Sequence, residues 1–261
     1  MPDALHVAKT GLNAQQERMS VISNNLANVN TVGFKRDRAN FETLLYQDIR
    51  SAGAQTSQNT QLPTGLAIGT GVRIVSSEKL YSQGNIINTD NSLDMTVEGS
   101  GFFQVLMPDG NVGYTRAGNF SRSSTGQLVT SNGYPLEPAV TIPENATTIT
   151  ISGDGIVSAA IPGQAAAQVL GNIELATFPN NSGLKPAGEN FAMATGASGA
   201  PIVGAPGTNG AGKILQGALE SSNVNVVEEL VNMIETQRAY EVNSKAISAV
   251  DQMQKFLTQN I

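Results

Sequence analysis

"SNNLANVNTVGFKR", residues 23–36, decides how this chain is read, because it loads the end of a regular helix pattern with asparagine. Upstream, Leu5, Leu12, Met19 and Leu26 are seven apart, and Ala8, Gln15, Ile22 and Val29 follow them by three. That is an a/d seam over four heptads with one polar intrusion, Gln15. Asp3 suits an N-cap, and Gly33 followed by Phe34 suits a helix stop. Lys35, Arg36 and Arg38 suit the negative end of a helix. Each asparagine in a helix interior costs roughly a few tenths of a kcal/mol against alanine, so four of them need a reason. On the heptad frame Asn24, Asn25 and Asn28 fall away from the seam, where amides donate and accept hydrogen bonds without mutual repulsion. A face meant for water is more cheaply made of Lys and Glu. The pattern therefore predicts a helix surrounded by other chains.

A second such stripe lies at the other end of the chain. "NVNVVEELVNMIETQRAYEVNSKAISAVDQMQKFL", residues 223–257, opens on Asn225 as a cap with Glu228 three positions later. Val226, Leu230, Met233, Gln237, Tyr240, Ser244, Ile247 and Val250 follow in steps of three and four. The first helix is nearly uncharged and the second net acidic, and the two stripes predict a coiled-coil pairing of the termini.

Between them the period changes to two. "GFFQVLMPDGNVGYTRAGNFSRSSTGQLVTSNGYPLEP" carries turn signals at Asp109-Gly110, Thr125-Gly126 and Asn132-Gly133 between short β-prone runs. "TTITISGDGIVSAAI" bends at Asp154-Gly155, and "GNIELATF" reads as a further strand. The expected fold is α+β, with four parts. Residues 1–33 are an N-terminal coiled-coil helix, 34–70 an extended linker segment, 71–217 a mostly antiparallel β domain, and 218–261 a C-terminal coiled-coil helix.

Composition narrows the function. Charged residues are 14%, aromatics 5%, tryptophan is absent and glycines number 27, a mix that suits a turn-rich β domain with uncharged polar surfaces. A net charge of −6 disfavours nucleic acid, which asks for a basic face. The absence of cysteine excludes disulfides, thiol catalysis and thiolate metal sites. No basic, then apolar leader opens the chain, and no apolar run reaches membrane-spanning length, so neither a cleaved signal peptide nor membrane insertion is expected.

The chemical look-alikes are weak. "GTNGAGKI", Gly207–Ile214, matches a phosphate-binding loop until Ile214, where Ser or Thr must hold magnesium. His6 is the only histidine and cannot by itself make a metal site or a triad. The Gly69–Gly71 and Gly99–Gly101 pairs lack the dinucleotide fingerprint. Asp90, Asp94 and Glu98 offer an acid/base pair only if they converge. Asn119-Phe120-Ser121 and Asn145-Ala146-Thr147 are sequons of a kind common by chance. No catalytic, cofactor-binding or metal-binding residue is expected, and no cofactor.

At this point the motifs match a family. "SNNLANVNTVGFKR" resembles the N-terminal signature of bacterial flagellar rod and hook proteins, and "EELVNMIETQRAYEVNSKAI" their C-terminal signature. "EGSGFFQV", "YTRAGNF" and "GQLVTSNGYPL" resemble their β-domain motifs, and residues 46–70 bring the chain nearest to the distal rod type. The resemblance implies a helical tube of many copies, with the terminal helices pairing around a channel and the β domain outside. Its seams would use Leu5, Ala8, Leu12, Met19, Ile22, Leu26, Val226, Leu230, Met233, Tyr240 and Ile247. Asn24, Asn25, Leu26, Asn28, Gly33 and Phe34 carry the family's N-terminal motif, and Gly53 and Pro63 lie in the linker. The implied partners are further copies, other rod proteins, the hook protein, the surrounding ring proteins and the flagellar export apparatus. The implied location is the periplasm-spanning basal body. The nearest rival is a hook or proximal rod subunit. From another class, the rival is a peptidoglycan-acting enzyme or a carbohydrate-binding module.

Overall fold

The computed structural model describes residues 2–53, 55–57, 60–61, 63–163 and 166–259, with the backbone alone at 2–4, 55–57, 60–61, 254 and 257–259. The two periodic stretches are helices, α1 (Pro2–Ala27) and α2 (Val226–Gln259), and they pack against each other. Among the described residues between them the chain is strand and turn, apart from one short 3-10 turn at Asn181–Gly183. The expected α+β architecture is present. The division into compact units cuts the chain differently from the expected linear parts. One unit holds the chain up to Ala27, Asp37–Glu78 and the chain from Asn225 onward; the other holds Asn28–Arg36 and Lys79–Val224.

In the first unit α1 stops at Ala27, six residues short of the expected stop at Gly33, and turns follow. Asp3 lies inside the helix, and its side chain is outside those described. Asn225 caps α2: its Oδ1 accepts from the backbone N–H groups of Val227 at 3.0 Å and Glu228 at 3.4 Å. The expected linker is a long antiparallel arm. Asp37–Thr43 pairs with Val72–Lys79, Tyr46–Arg50 with Leu66–Gly69, and Gln55–Ser57 with Thr60–Gln61. Gly71 seats the arm on α1. It has φ +121°, and a Cβ there would lie 2.2 Å from Thr10 Oγ1, so only glycine fits.

The second unit is built on alternation. In the strand Phe102–Leu106, Phe103 and Val105 point into one apolar cluster with Met95, Leu128, Leu136, Ile173 and Leu175. Phe102 points the other way, into a cluster with Tyr114, Phe178 and Leu184. Edge-to-face ring pairs fix both sides: Phe103–Phe120 at 5.3 Å and Tyr114–Phe178 at 4.8 Å between centroids. This strand is central to a seven-stranded antiparallel sheet. Val112–Thr115 lies on one side, and Leu136–Glu137 and Leu175–Thr177 share the other. Further pairs join Lys213–Gln216 to Met95–Glu98 and Ala218–Glu220 to Ile86–Asn88.

Candidate assembly surfaces and a buried ionic clamp

The asparagines of residues 23–36 do not all share the role expected of them. Asn25 is 1% exposed. Its Nδ2 donates to Asp37 O at 2.9 Å, and its Oδ1 accepts from Asp37 N at 2.8 Å. The carboxamide thus pairs with the first residue of the arm as a neighbouring strand would, and it is closed to other chains. The heptad frame put Asn25 off the helix seam and could not show that the chain folds back over that face. Asn28 Oδ1 accepts from Thr31 Oγ1, organising the turn after the helix, while Asn24 stays exposed.

The second half of the motif locks into the β unit. Gly33 has φ +68°, and a Cβ there would fall 2.5 Å from Ala117 N, so the position tolerates nothing larger. Gly33 N donates to Glu220 O at 2.8 Å. Phe34 is buried, with Lys79 Nζ 4.9 Å above its ring. Asn190 Nδ2 reaches the carbonyl of Val32 at 2.7 Å.

Lys35 completes a cluster that sequence reading missed. Its Nζ donates to Glu220 Oε1 at 2.6 Å and to Ser82 O at 2.7 Å. Gly84 N donates to the same Glu220 oxygen, and Arg116 Nη1 lies 3.6 Å from the other. Arg116 also donates to the carbonyls of Val97 and Gly99 and stacks over Phe102. Glu220 has no solvent exposure, Lys35 3% and Arg116 6%. Two cations thus share one buried carboxylate. Burial pushes the Lys35 ammonium below the ordinary lysine range despite Glu220, and pushes Arg116 down as well. The clamp ties the segment that leaves α1 to the strand that precedes α2. The motif's Lys35 was visible in the sequence, but nothing marked it as buried.

Of the expected α1 seam, Ile22 is buried and Leu5, Ala8, Leu12, Met19 and Leu26 are half-buried; Ala14, off the frame, is also buried. On α2 the expected stripe divides. Met233, Ile247 and Val250 are half-buried, while Val226, Leu230, Gln237, Tyr240 and Ser244 are exposed. The sheltered face runs one residue earlier, through Glu229, Asn232, Thr236, Ala239 and Asn243. Its contacts are small and polar: Arg18 Nη2 meets Asn232 Oδ1, and Gly11 lies against Asn243. The apolar side chains Val227, Leu230, Val231, Ile234 and Val242 are left in solvent, Val227 at 71% and Val242 at 65%. The arm shows the same excess: Leu45, Tyr46, Ile49 and Leu66 are all more than half exposed. Gly53 and Pro63 are exposed on it too.

The chemical look-alikes have structural explanations. The stretch Gly207–Ile214 runs into the strand Lys213–Gln216, with no helix N-terminus to hold a phosphate. His6 is exposed, and Asp94 is taken up by Thr89 Oγ1 at 2.6 Å and Asn91 Nδ2 at 3.0 Å. Among the described residues no group of His, Asp and Glu could hold a metal, and no helix is long and apolar enough to cross a membrane.

Comparison with known proteins agrees with this geometry. Residues 5–35 match the family described as "Flagella basal body rod protein". Residues 96–159 match "Flagellar hook protein FlgE/F/G D1 domain", and residues 215–260 match "Flagellar basal body rod FlgEFG protein C-terminal". The flagellar basal-body rod protein FlgG of Buchnera aphidicola subsp. Acyrthosiphon pisum is 56% identical over 99% of this chain and 100% of its own length. The FlgG proteins of Caulobacter vibrioides and Bacillus subtilis are 48% and 35% identical, over 98% and 96% of both chains. With its terminal helices, its arm and its β unit all inside that full-length likeness, the chain belongs to the flagellar basal-body rod protein family.

Proposed function

We propose that this protein is a structural, self-polymerising subunit of the flagellar distal rod, with no catalytic step of its own. The observation that carries the reading is the apolar surface left open on α2 and on the arm. A two-stranded arm is marginally stable alone in water, and a row of valines and isoleucines on a helix is costly to leave wet. In a tube of identical copies both surfaces are covered by neighbours. The FlgG relatives, similar over their whole length and named as flagellar basal-body rod proteins, support a rod as that tube.

In that assembly the terminal helices line the inside and the β unit forms the outer wall. The tube spans the periplasm inside ring proteins, continues other rod proteins and carries torque to the hook. Subunits reach it through the flagellar export apparatus. Electron microscopy of the concentrated protein tests the reading. Straight tubes are expected, and a species that stays monomeric at every concentration would refute it.

A further inference from the structure

The stretch "GTNGAGKI", which cannot work as a phosphate loop, contains one of two Asn-Gly dipeptides in the chain; the other is Asn132-Gly133. Glycine after asparagine leaves its backbone nitrogen unobstructed by a Cβ. That nitrogen can then approach the preceding carboxamide. Whether it does depends on the turn that holds the pair, and the two turns differ in register.

The turn Thr208–Ala211 closes through Ala211 N donating to Thr208 O at 2.8 Å. Asn209 and Gly210 are its central residues, with φ 50° and 79°, the arrangement of a type I′ turn. Among the described hydrogen bonds, Gly210 N–H has no acceptor and the Asn209 carboxamide has no partner, and both residues are exposed. The turn Thr130–Gly133 closes one position earlier relative to the dipeptide. Gly133 N itself donates to Thr130 O at 2.8 Å, and Asn132 Nδ2 donates to the Glu189 carboxylate at 2.7 Å. Both groups that would have to react are held.

We propose that Asn209 is a site of spontaneous deamidation and that Asn132, the same dipeptide, is protected. Gly210 N attacks Asn209 Cγ; the new C–N bond forms as the Cγ–Nδ2 bond breaks, and Nδ2 leaves as ammonia with the proton of Gly210. Water then opens the five-membered imide at either carbonyl, giving aspartate or isoaspartate. The net change is amide plus water to carboxylate plus ammonium. At Asn132 the same step must first break a charge-assisted hydrogen bond and free a turn-closing N–H, which slows it by about tenfold or more. Each conversion at Asn209 adds one negative charge to the exposed loop after Ile202–Gly204. It does so at the same place in every copy of a long-lived assembly.

The test is peptide mapping by mass spectrometry after incubating the full-length folded protein at mildly alkaline pH. Conversion at Asn209 is expected at least about tenfold faster than at Asn132. In urea the two rates should converge, and in folded Glu189→Ala the rate at Asn132 should rise toward that at Asn209. The proposal is overturned if Asn209 stays intact in the folded protein or if both sites convert equally fast. It is overturned too if Asn132 remains slow in urea or is unmoved by Glu189→Ala.

Discussion

Changing Glu220 to glutamine keeps the shape of a side chain with no solvent exposure and removes its charge. Lys35 and Arg116, at 3% and 6% exposure, are then left as buried cations with only backbone carbonyls and a neutral amide for company. Removing one partner of a buried ion pair costs about 3–5 kcal/mol, against a stability of about 5–15 kcal/mol for a whole domain. For a unit of this size each kcal/mol lowers Tm by about 2–4 °C, so the fall should be about 6–20 °C. Thermal unfolding of the full chain at neutral pH, parent beside Glu220→Gln, measures it. Lys35→Met in the Glu220→Gln background removes one orphaned cation. The double variant should therefore be more stable than the sum of the single losses, by about 1 kcal/mol or more. A loss under about 1 kcal/mol for Glu220→Gln, or strict additivity with Lys35→Met, would show that the clamp is not a coupled unit.

The clamp also sets a pH dependence. Lys35 is pushed down by burial, so in the window below the ordinary lysine value of about 10.4 the unfolded chain holds the proton more tightly. Stability from this group should rise as pH climbs through that window, and the rise should vanish in Lys35→Met; a fall with pH in the parent that Lys35→Met abolishes would contradict the sign. Asn25→Asp replaces the Nδ2 donor to Asp37 O with a buried carboxylate oxygen. It should cost about 2 kcal/mol or more at neutral pH and less in acid, where a protonated carboxyl donates again; a neutral effect in melting would disprove the Asn25–Asp37 pairing. Pro63→Ala, on the exposed arm, should shift stability by no more than about 0.5 kcal/mol while altering motility or rod length, and full motility with normal basal bodies would reduce the arm to a spacer.

The helices were legible because a seam repeated over several heptads has a period that no strand shares, and Asn225 announced its cap. The β unit was legible from its glycine turns and alternating runs. The facing of α2 was not, because pattern reading assigns the apolar stripe to the nearest partner. Here the partner within the chain takes Thr236 and Asn243, and the larger apolar residues stay outside. The arm was hidden in a stretch rich in Ser, Thr and Gln, since a two-stranded ladder exposed on both faces has no buried side to write an alternating pattern. The clamp left no trace either. Lys35, Arg116 and Glu220 lie far apart in sequence, and each charged residue alone reads as surface. Asn25 shows the finest limit: its position on the helix was readable, but the strand that returns to it was not.

The central claim is that copies of this chain cover the apolar face of α2, and Val242→Asp tests it most directly. Val242 is 65% exposed in the single chain, so a carboxylate there should leave monomer melting unchanged to within about 0.5 kcal/mol. Buried against a neighbour and unpaired, the same carboxylate costs several kcal/mol at every contact, on the order of 3–5. Sedimentation velocity of parent and variant across a concentration series separates the outcomes. Large assemblies are expected for the parent, and a monomer with parental melting for Val242→Asp. Assembly of Val242→Asp at the same concentrations as the parent would contradict the claim.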